Sequence, residues 1–276
     1  MSKTWFITGT SSGIGRALTE KLLARGDGVA ATLRKADALD HLKARYGDRL
    51  WAAAMDVTDT EAVRAVVNKA FAELGRIDVV VNNAGYGLFG AAEEVSDDQI
   101  RHQIDTNIIG SIQVIRAALP HLREQGGGRV LQVSSEGGQV AYPNFSLYHT
   151  TKWAIEGFVE AVTQETAPFD IAFTIIEPGP TKTNFRSGLV SPPPMAVYEN
   201  TPAGDMRRSV ANSAFPLPGD AIKMAQAMID SVGRSPAPKR LLLGGGAYDR
   251  VRAALADRLA ALDAQKDIAF STDAGD

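Results

Sequence analysis

Short apolar runs alternate along most of the chain with stretches whose apolar residues fall at helical spacing. Trp5-Phe6-Ile7 reads as a buried strand, and Ile14, Ala17, Leu18 and Leu22 follow it at helical spacing, with Gly26 suited to the stop. Further strands are expected at Gly28 to Leu33, Leu50 to Met55, Ile77 to Val81, Val130 to Val133, Ile171 to Ile176 and Leu241 to Leu243. Helical faces lie between them. One carries Val63, Val66, Val67, Ala70, Phe71 and Leu74; another carries Tyr148, Lys152, Ile155, Val159 and Val162. Ser96-Asp97-Asp98-Gln99 resembles a capping box and opens a helix with Ile100, Ile104 and Ile108 on one face. Strands apolar throughout, separated by helices, belong in a parallel sheet covered on both faces. Right-handed crossovers then give a doubly wound α/β fold, here of about seven strands in one domain.

The chain has 276 residues, enough for one large domain with a full core. It contains no cysteine, which excludes a disulfide framework, thiolate metal sites and a cysteine nucleophile. His41, His102, His121 and His149 show no metal spacing and read as surface or structural, so no metal site is expected. Lys and Arg total 29 against 32 Asp and Glu, a net charge of −3, with no basic excess to suit nucleic acid. The apolar stretch at the N-terminus is too short for a signal peptide, and no window of about 18 apolar residues suggests a membrane span. A cytoplasmic protein is the expectation.

Between the first strand and the first helix lies Thr8-Gly9-Thr10-Ser11-Ser12-Gly13-Ile14-Gly15. Small residues in that position let the backbone turn sharply and approach a pyrophosphate. The free amides and dipole of the helix N-terminus then face the negative charge. Glycines alone would mark only a turn; their place after strand one and before a helix points to a dinucleotide. Gly9, Ser11, Ser12, Gly13, Ile14 and Gly15 are therefore candidate cofactor contacts. At the end of the second strand an acidic residue would accept the ribose 2′-hydroxyl of NAD(H), and an arginine would favour the 2′-phosphate of NADP(H). The chain has Leu33-Arg34-Lys35 there, with no carboxylate before Asp37. Arg34 can clamp a phosphate, with Ser12 across from it, so NADP(H) is expected over NAD(H).

Tyr148 and Lys152 stand four apart on one helix face. A phenol is a poor base at neutral pH, and a nearby ammonium favours its ionised form. Such a tyrosine could exchange a proton with an alcohol or carbonyl oxygen. By itself the pair is an ordinary helix face. Ser135, however, ends the fifth strand, where ligands lie in this fold class. Asn82-Asn83-Ala84-Gly85 closes the fourth strand and Pro178-Gly179-Pro180-Thr181-Lys182-Thr183 the sixth. Asn107 is a polar residue on an otherwise apolar helical face.

Taken together these residues resemble the short-chain dehydrogenase/reductase family, in its shorter-chain oxidoreductase branch. The resemblance runs from Lys3 to about Phe185. It is carried by Thr8-Gly9-x-x-x-Gly13-x-Gly15, Asp56-Val57, Asn82-Asn83-Ala84-Gly85, Asn107, Ser135, Tyr148-x-x-x-Lys152 and Pro178-Gly179-x-x-x-Thr183. It implies a Rossmann-like fold and an NADP(H)-dependent enzyme interconverting an alcohol with a ketone or aldehyde. Tyr148 would be the acid/base, Ser135 would orient the substrate oxygen, and Lys152 would hold the nicotinamide ribose. Asn107 would support a water relay to Lys152. Asp56 and Val57 would contact the adenine, and Asn83, with Ala84 and Gly85, the ribose side. Thr183 would hold the carboxamide, beside Pro178, Gly179 and Thr181. A homodimer or homotetramer is implied as well, with the helices after Ser96 and Tyr148 as candidate interfaces. Two other readings remain open: a non-catalytic module sensing NADP(H), and an epimerase or dehydratase that recycles its cofactor.

One long break interrupts the pattern, at about 184–220, with Pro192-Pro193-Pro194, Pro202, Pro216 and Pro218 and little helical signal. The resemblance makes it the substrate loop. Met195, Val197, Tyr198, Met206 and Phe215 could line an apolar pocket or simply pack, and Arg207-Arg208 reads as a solvated pair. Trp5, Trp51 and Trp153 are expected to pack, and the polar tail from about Asp267 to fray.

Overall fold

The computed structural model describes residues 2–212 and 214–274. The strands are β1 (Thr4–Thr8), β2 (Gly28–Leu33), β3 (Leu50–Ala54), β4 (Val79–Asn82), β5 (Gly128–Val133), β6 (Ile171–Pro178) and β7 (Arg240–Leu243). They form one parallel sheet in the order β3-β2-β1-β4-β5-β6-β7. Chain direction across the sheet reverses between β1 and β4, so a crevice opens at the carboxyl ends of those two strands. The inner strands are buried on both sides, as parallel pairing requires, while the edge strands β3 and β7 are partly exposed. Trp5 and Ile7 of β1 enter one core cluster and Phe6 the other; Val79 and Val81 of β4 part from Val80 in the same way.

Helices α1 (Gly13–Arg25), α2 (Asp40–Tyr46), α3 (Thr60–Leu74), α4 (Asp97–Ile104), α5 (Gly110–Glu124) and α6 (Ser146–Thr166) fall between the strands through β6. After β6 come α7 (Pro202–Ala211), α8 (Ala221–Val232), α9 (Gly245–Asp263) and α10 (Lys266–Ser271). Leu18, Leu22 and Leu23 of α1 pack with Met224, Met228 and Ile229 of α8 on one face of the sheet. Val63, Val67 and Phe71 of α3, Val114 and Ile115 of α5, and Val159 of α6 cover the other. Gly26 ends α1 at φ +96°, its N–H directed to Leu22 and Leu23 carbonyls, a conformation that suits glycine. Ser96 and Gln99 form the expected capping box. Among the described residues no helix is long and apolar enough to cross a membrane.

Three features depart from the sequence expectation. A π-helical turn, Asp105–Ile109, joins α4 to α5 and turns Asn107 inward to 3% exposure. The 184–220 segment is partly helical: Thr201 accepts the Ala203 N–H, Pro202 starts α7, and a 3₁₀ turn spans Ala196–Tyr198. Where fraying is expected, α10 forms a short helix with no buried side chain.

Candidate active site

β1 ends at the glycine turn, and the turn is built for close approach. Gly9 has φ +70°, and a Cβ on it would stand 2.9 Å from the Ala84 Cα. A Cβ on Gly15 would stand 2.4 Å from Asn83 Nδ2 and 2.5 Å from the Gly9 carbonyl. That space is filled by the end of β4. Asn83 Nδ2 donates to the Thr8 and Gly9 carbonyls at 2.9 and 3.1 Å, and the Asn83 and Ala84 amides both donate to Thr8 Oγ1 at 2.9 Å. The side chain of Asn83 thus fixes the turn. Ser11, Ser12, Gly13 and Ile14 face the crevice, and the first-turn amides of α1 have no acceptor within the helix.

The crevice is a cavity of about 590 Å³ that runs along the carboxyl ends of the strands. Arg34, Asp56 and Val57 stand at one end, beyond β2 and β3. The Thr58 amide and hydroxyl, at 2.9 and 2.8 Å, hold the Asp56 carboxyl below its usual range, with Arg34 and His102 adding to the effect. Ala84, Gly85, Pro178, Gly179, Thr181 and Thr183 line the middle. The buried Thr106 hydroxyl there has no hydrogen-bond partner among the described residues. Of the cofactor and catalytic candidates, only Gly15 and Asn107 do not reach the cavity wall. Asn107 lies one layer behind it. Its Oδ1 accepts the Tyr86 N–H at 3.1 Å, and Nδ2 donates to the Tyr86 carbonyl at 2.9 Å and Thr151 Oγ1 at 3.1 Å. It therefore ties the Gly85-Tyr86 backbone to the residue beside Lys152.

Ser135, Tyr148 and Lys152 meet in the wall at the ends of β5 and α6. Ser135 Oγ accepts the Gly137 N–H at 3.0 Å, which leaves its own proton to donate elsewhere. Lys152 Nζ donates to the Val133 carbonyl at 3.1 Å and stands 5.6 Å from the centre of the Tyr148 ring. Burial pushes the Tyr148 phenol up to about 12, with Ser135 pulling it down and Glu136 adding to the rise. Burial also draws Lys152 down to about 8, against the pull of Glu156. Desolvation of the phenolate dominates at Tyr148, and the group that lowers it here is Ser135, not Lys152 as expected.

Several wall residues escape the sequence pattern. His149, set aside as surface or structural, is buried and lines the cavity beside Tyr148. Its Nδ1 accepts the Tyr142 N–H at 3.2 Å, and burial lowers it to about 4. His102 also borders the cavity. The apolar wall is made by Phe145, Phe185, Leu189, Val190, Val210, Phe215 and Leu217. Of the five apolar loop candidates, only Phe215 is in it. Met195 and Val197 are exposed, and Tyr198 donates to Glu93. The missed signal is a pair of glycines: a Cβ on Gly87 would meet Leu189 at 2.6 Å and Phe185 at 2.7 Å, and one on Gly90 would meet Pro192 at 2.5 Å. The solvated reading holds for Arg208, which is exposed and pairs with the exposed Glu199 and Asp205, but not for Arg207. Arg207 Nη2 donates to both carboxylate oxygens of Glu94, whose side chain is 1% exposed. Trp5 packs in the core as expected, but Trp153 is half exposed under Arg258.

Known proteins share this arrangement. The family model for short chain dehydrogenases matches residues 3–193. Oxidoreductase BOA17 of Botryotinia fuckeliana is 37% identical over 250 residues, 90% of this chain and 91% of that protein. The crystal structure of a short-chain dehydrogenase from Streptomyces avermitilis superposes with a TM-score of 0.92 at 38% identity, covering 99% of this chain and 100% of that one. An alcohol dehydrogenase from the archaeon Thermococcus sibiricus, solved complexed with 5-hydroxy-NADP, gives 0.72 at 26% identity over 88% of this chain and 96% of its own. With the parallel sheet, the glycine turn and the Ser135, Tyr148 and Lys152 side chains on one cavity, the chain belongs to the short-chain dehydrogenase family of oxidoreductases.

Proposed function

We propose that the protein is an NADP(H)-dependent oxidoreductase that interconverts an apolar alcohol with its ketone or aldehyde. One observation carries the proposal: Ser135, Tyr148 and Lys152 converge on the same cavity as the glycine turn and Arg34. The residues fit a dinucleotide. The turn has no room for a Cβ at Gly9 or Gly15, and free helix amides and the unpartnered Thr106 hydroxyl face the space. Gly9, Ser11, Ser12, Gly13 and Ile14 would hold the pyrophosphate, and Gly15 shapes the turn. Arg34 would hold the 2′-phosphate, Asp56 and Val57 the adenine, and Ala84, Gly85 and Lys152 the riboses. Pro178, Gly179, Thr181 and Thr183 would hold the carboxamide end. Such a cofactor supplies or removes a hydride.

The protein's part is to hold the substrate oxygen and move its proton. Ser135 donates a hydrogen bond to that oxygen, its proton not being used by the Gly137 N–H that its Oγ accepts. Tyr148 gives the oxygen a proton on reduction and takes it back on oxidation. Phe145, Phe185 and Phe215 exclude water and favour an apolar substrate. The Thermococcus sibiricus alcohol dehydrogenase supports both the reaction class and an NADP-type cofactor. Assembly as a homodimer or homotetramer is part of the same proposal; light scattering at the monomer mass would count against it.

The test is NADPH consumption across a panel of apolar ketones and aldehydes, with the alcohol measured alongside. The expected result is one alcohol formed per NADPH consumed. Tight NADPH binding with no turnover on any member would support a sensing module instead. A rearranged product with no net consumption would support recycled-cofactor chemistry.

A further inference from the structure

The residue after Ser135 is a buried acid. The Glu136 side chain is 4% exposed, lines the cavity and opens the short turn Glu136–Gly138. Its partner comes from far along the chain. Arg250, on α9, donates from Nε to Oε2 at 3.1 Å and from Nη2 to Oε1 and Oε2 at 3.1 and 2.9 Å. This is a two-pronged fork, the strongest arrangement for such a pair. Arg258 of the same helix reaches Gln139 Oε1 at 3.4 Å, so α9 grips both ends of the turn. The turn has little freedom otherwise: a Cβ on Gly137 would stand 2.6 Å from His149 Cδ2, and the Gly138 N–H donates to the Ser135 carbonyl at 3.0 Å. Arg250 lies outside residues 3–193, which the family model matches.

We propose that Arg250 is a positioning residue: through its fork on Glu136 it fixes the turn that carries Ser135, and it cancels a buried negative charge on the cavity wall that Glu136 shares with Tyr148. This rests on the proposed role of Tyr148. Other charged or titratable groups line the same cavity, apart from Arg34 and Asp56 at its other end. They are Lys152 and His149 from α6, Tyr142 before it, Arg186 after β6, Tyr86 after β4 and His102 of α4. Asp56 aside, Glu136 is the only carboxylate among the groups named, and its charge disfavours the phenolate. Removing either member of the pair should therefore move Tyr148 in opposite directions. Without Arg250 the bare carboxylate makes the phenol harder to ionise; without the Glu136 charge the bare guanidinium makes it easier.

Two measurements test this. In protein saturated with NADP⁺, phenolate absorbance is titrated for each variant and the curve of its Tyr148→Phe counterpart subtracted. Arg250→Met should move the midpoint up by about 0.5–1 on the pH scale and Glu136→Gln should move it down, while the double variant returns close to the wild type. Arg250→Lys keeps the charge and should hold the midpoint near the wild type. In the protein without cofactor, hydrogen exchange at the Gly137 and Gly138 amides should rise about tenfold in Arg250→Met and less in Arg250→Lys. Midpoints that stay fixed, or that move the same way whichever partner is removed, would overturn the charge-cancelling role. Unchanged exchange in Arg250→Met would overturn the positioning role. If the protein fails to bind NADP⁺ or to turn over substrate, the proposed function fails, and the exchange measurement still decides whether Arg250 holds the turn.

Discussion

Tyr148 and His149 are neighbours that burial drives toward neutrality from opposite sides, the phenol up to about 12 and the imidazole down to about 4. For His149 this has a consequence for stability. The folded value lies below the ordinary 6.5, so the unfolded chain binds more protons between those pH values. The stabilisation is complete above pH 6.5 and is lost as pH falls toward 4, by at most about 3 kcal/mol. His149→Gln should flatten that part of the profile, read as melting temperature against pH; an unchanged slope would show that other groups carry it. The two residues were not equally legible. Tyr148 shows itself through its spacing to Lys152 and the serine before it. His149 projects off that stripe, and its burial depends on Gly137, in the turn before its helix, leaving room for the ring.

At the scale of elements, the proposed cofactor choice rests on the end of β2. Arg34 stands at the far end of the cavity, and no acidic residue at that strand end competes for a ribose hydroxyl. Leu33→Asp with Arg34→Ala should move preference toward NAD(H), by roughly tenfold or more in the ratio of kcat/KM values. Steady-state kinetics with both cofactors checks this, and an unchanged ratio would remove Arg34 from the role. The segment after β6 is anchored by Glu94, which accepts the Ala91 and Met195 amides at 2.8 Å and two hydrogen bonds from Arg207 Nη2. Glu94→Gln removes the charge that the guanidinium pairs with, at a cost of about 2 kcal/mol. Faster proteolysis within 184–220 and a higher KM, with kcat less affected, are expected. Wild-type proteolysis rates would mean that the apolar wall holds the segment alone. The helix in that segment was written in the sequence as Thr201-Pro202, a cap followed by a proline at the first helical position, but the surrounding prolines masked it. The π turn could not be seen. Ile100, Ile104 and Ile108 keep a regular helical spacing, and the extra residue per turn follows from Asn107 facing inward to hold Tyr86 and Thr151.

The whole molecule was the most legible level, because a parallel sheet leaves a coarse and redundant record. Each of the seven strands is an apolar run between helical patterns, and errors of one or two residues at a strand end do not alter the order of the sheet. The glycine turn, Asn83, Ser135 and Thr183 were legible for a related reason: all follow strands, and every strand delivers its carboxyl end to the same edge. Side chains from loops and from α9 have no such rule. Phe185, Leu189 and Arg250 reach the site through contacts remote in sequence, which periodicity does not encode. The central claim concerns what happens at that edge, and comparing the wild type with Tyr148→Phe tests it most directly. NADPH consumption with a substrate found in the carbonyl panel, and NADPH affinity by calorimetry, are measured on both proteins. The account predicts that the variant binds NADPH as the wild type does while its turnover falls by about 10²–10⁴-fold. Turnover close to the wild-type rate in Tyr148→Phe would contradict it.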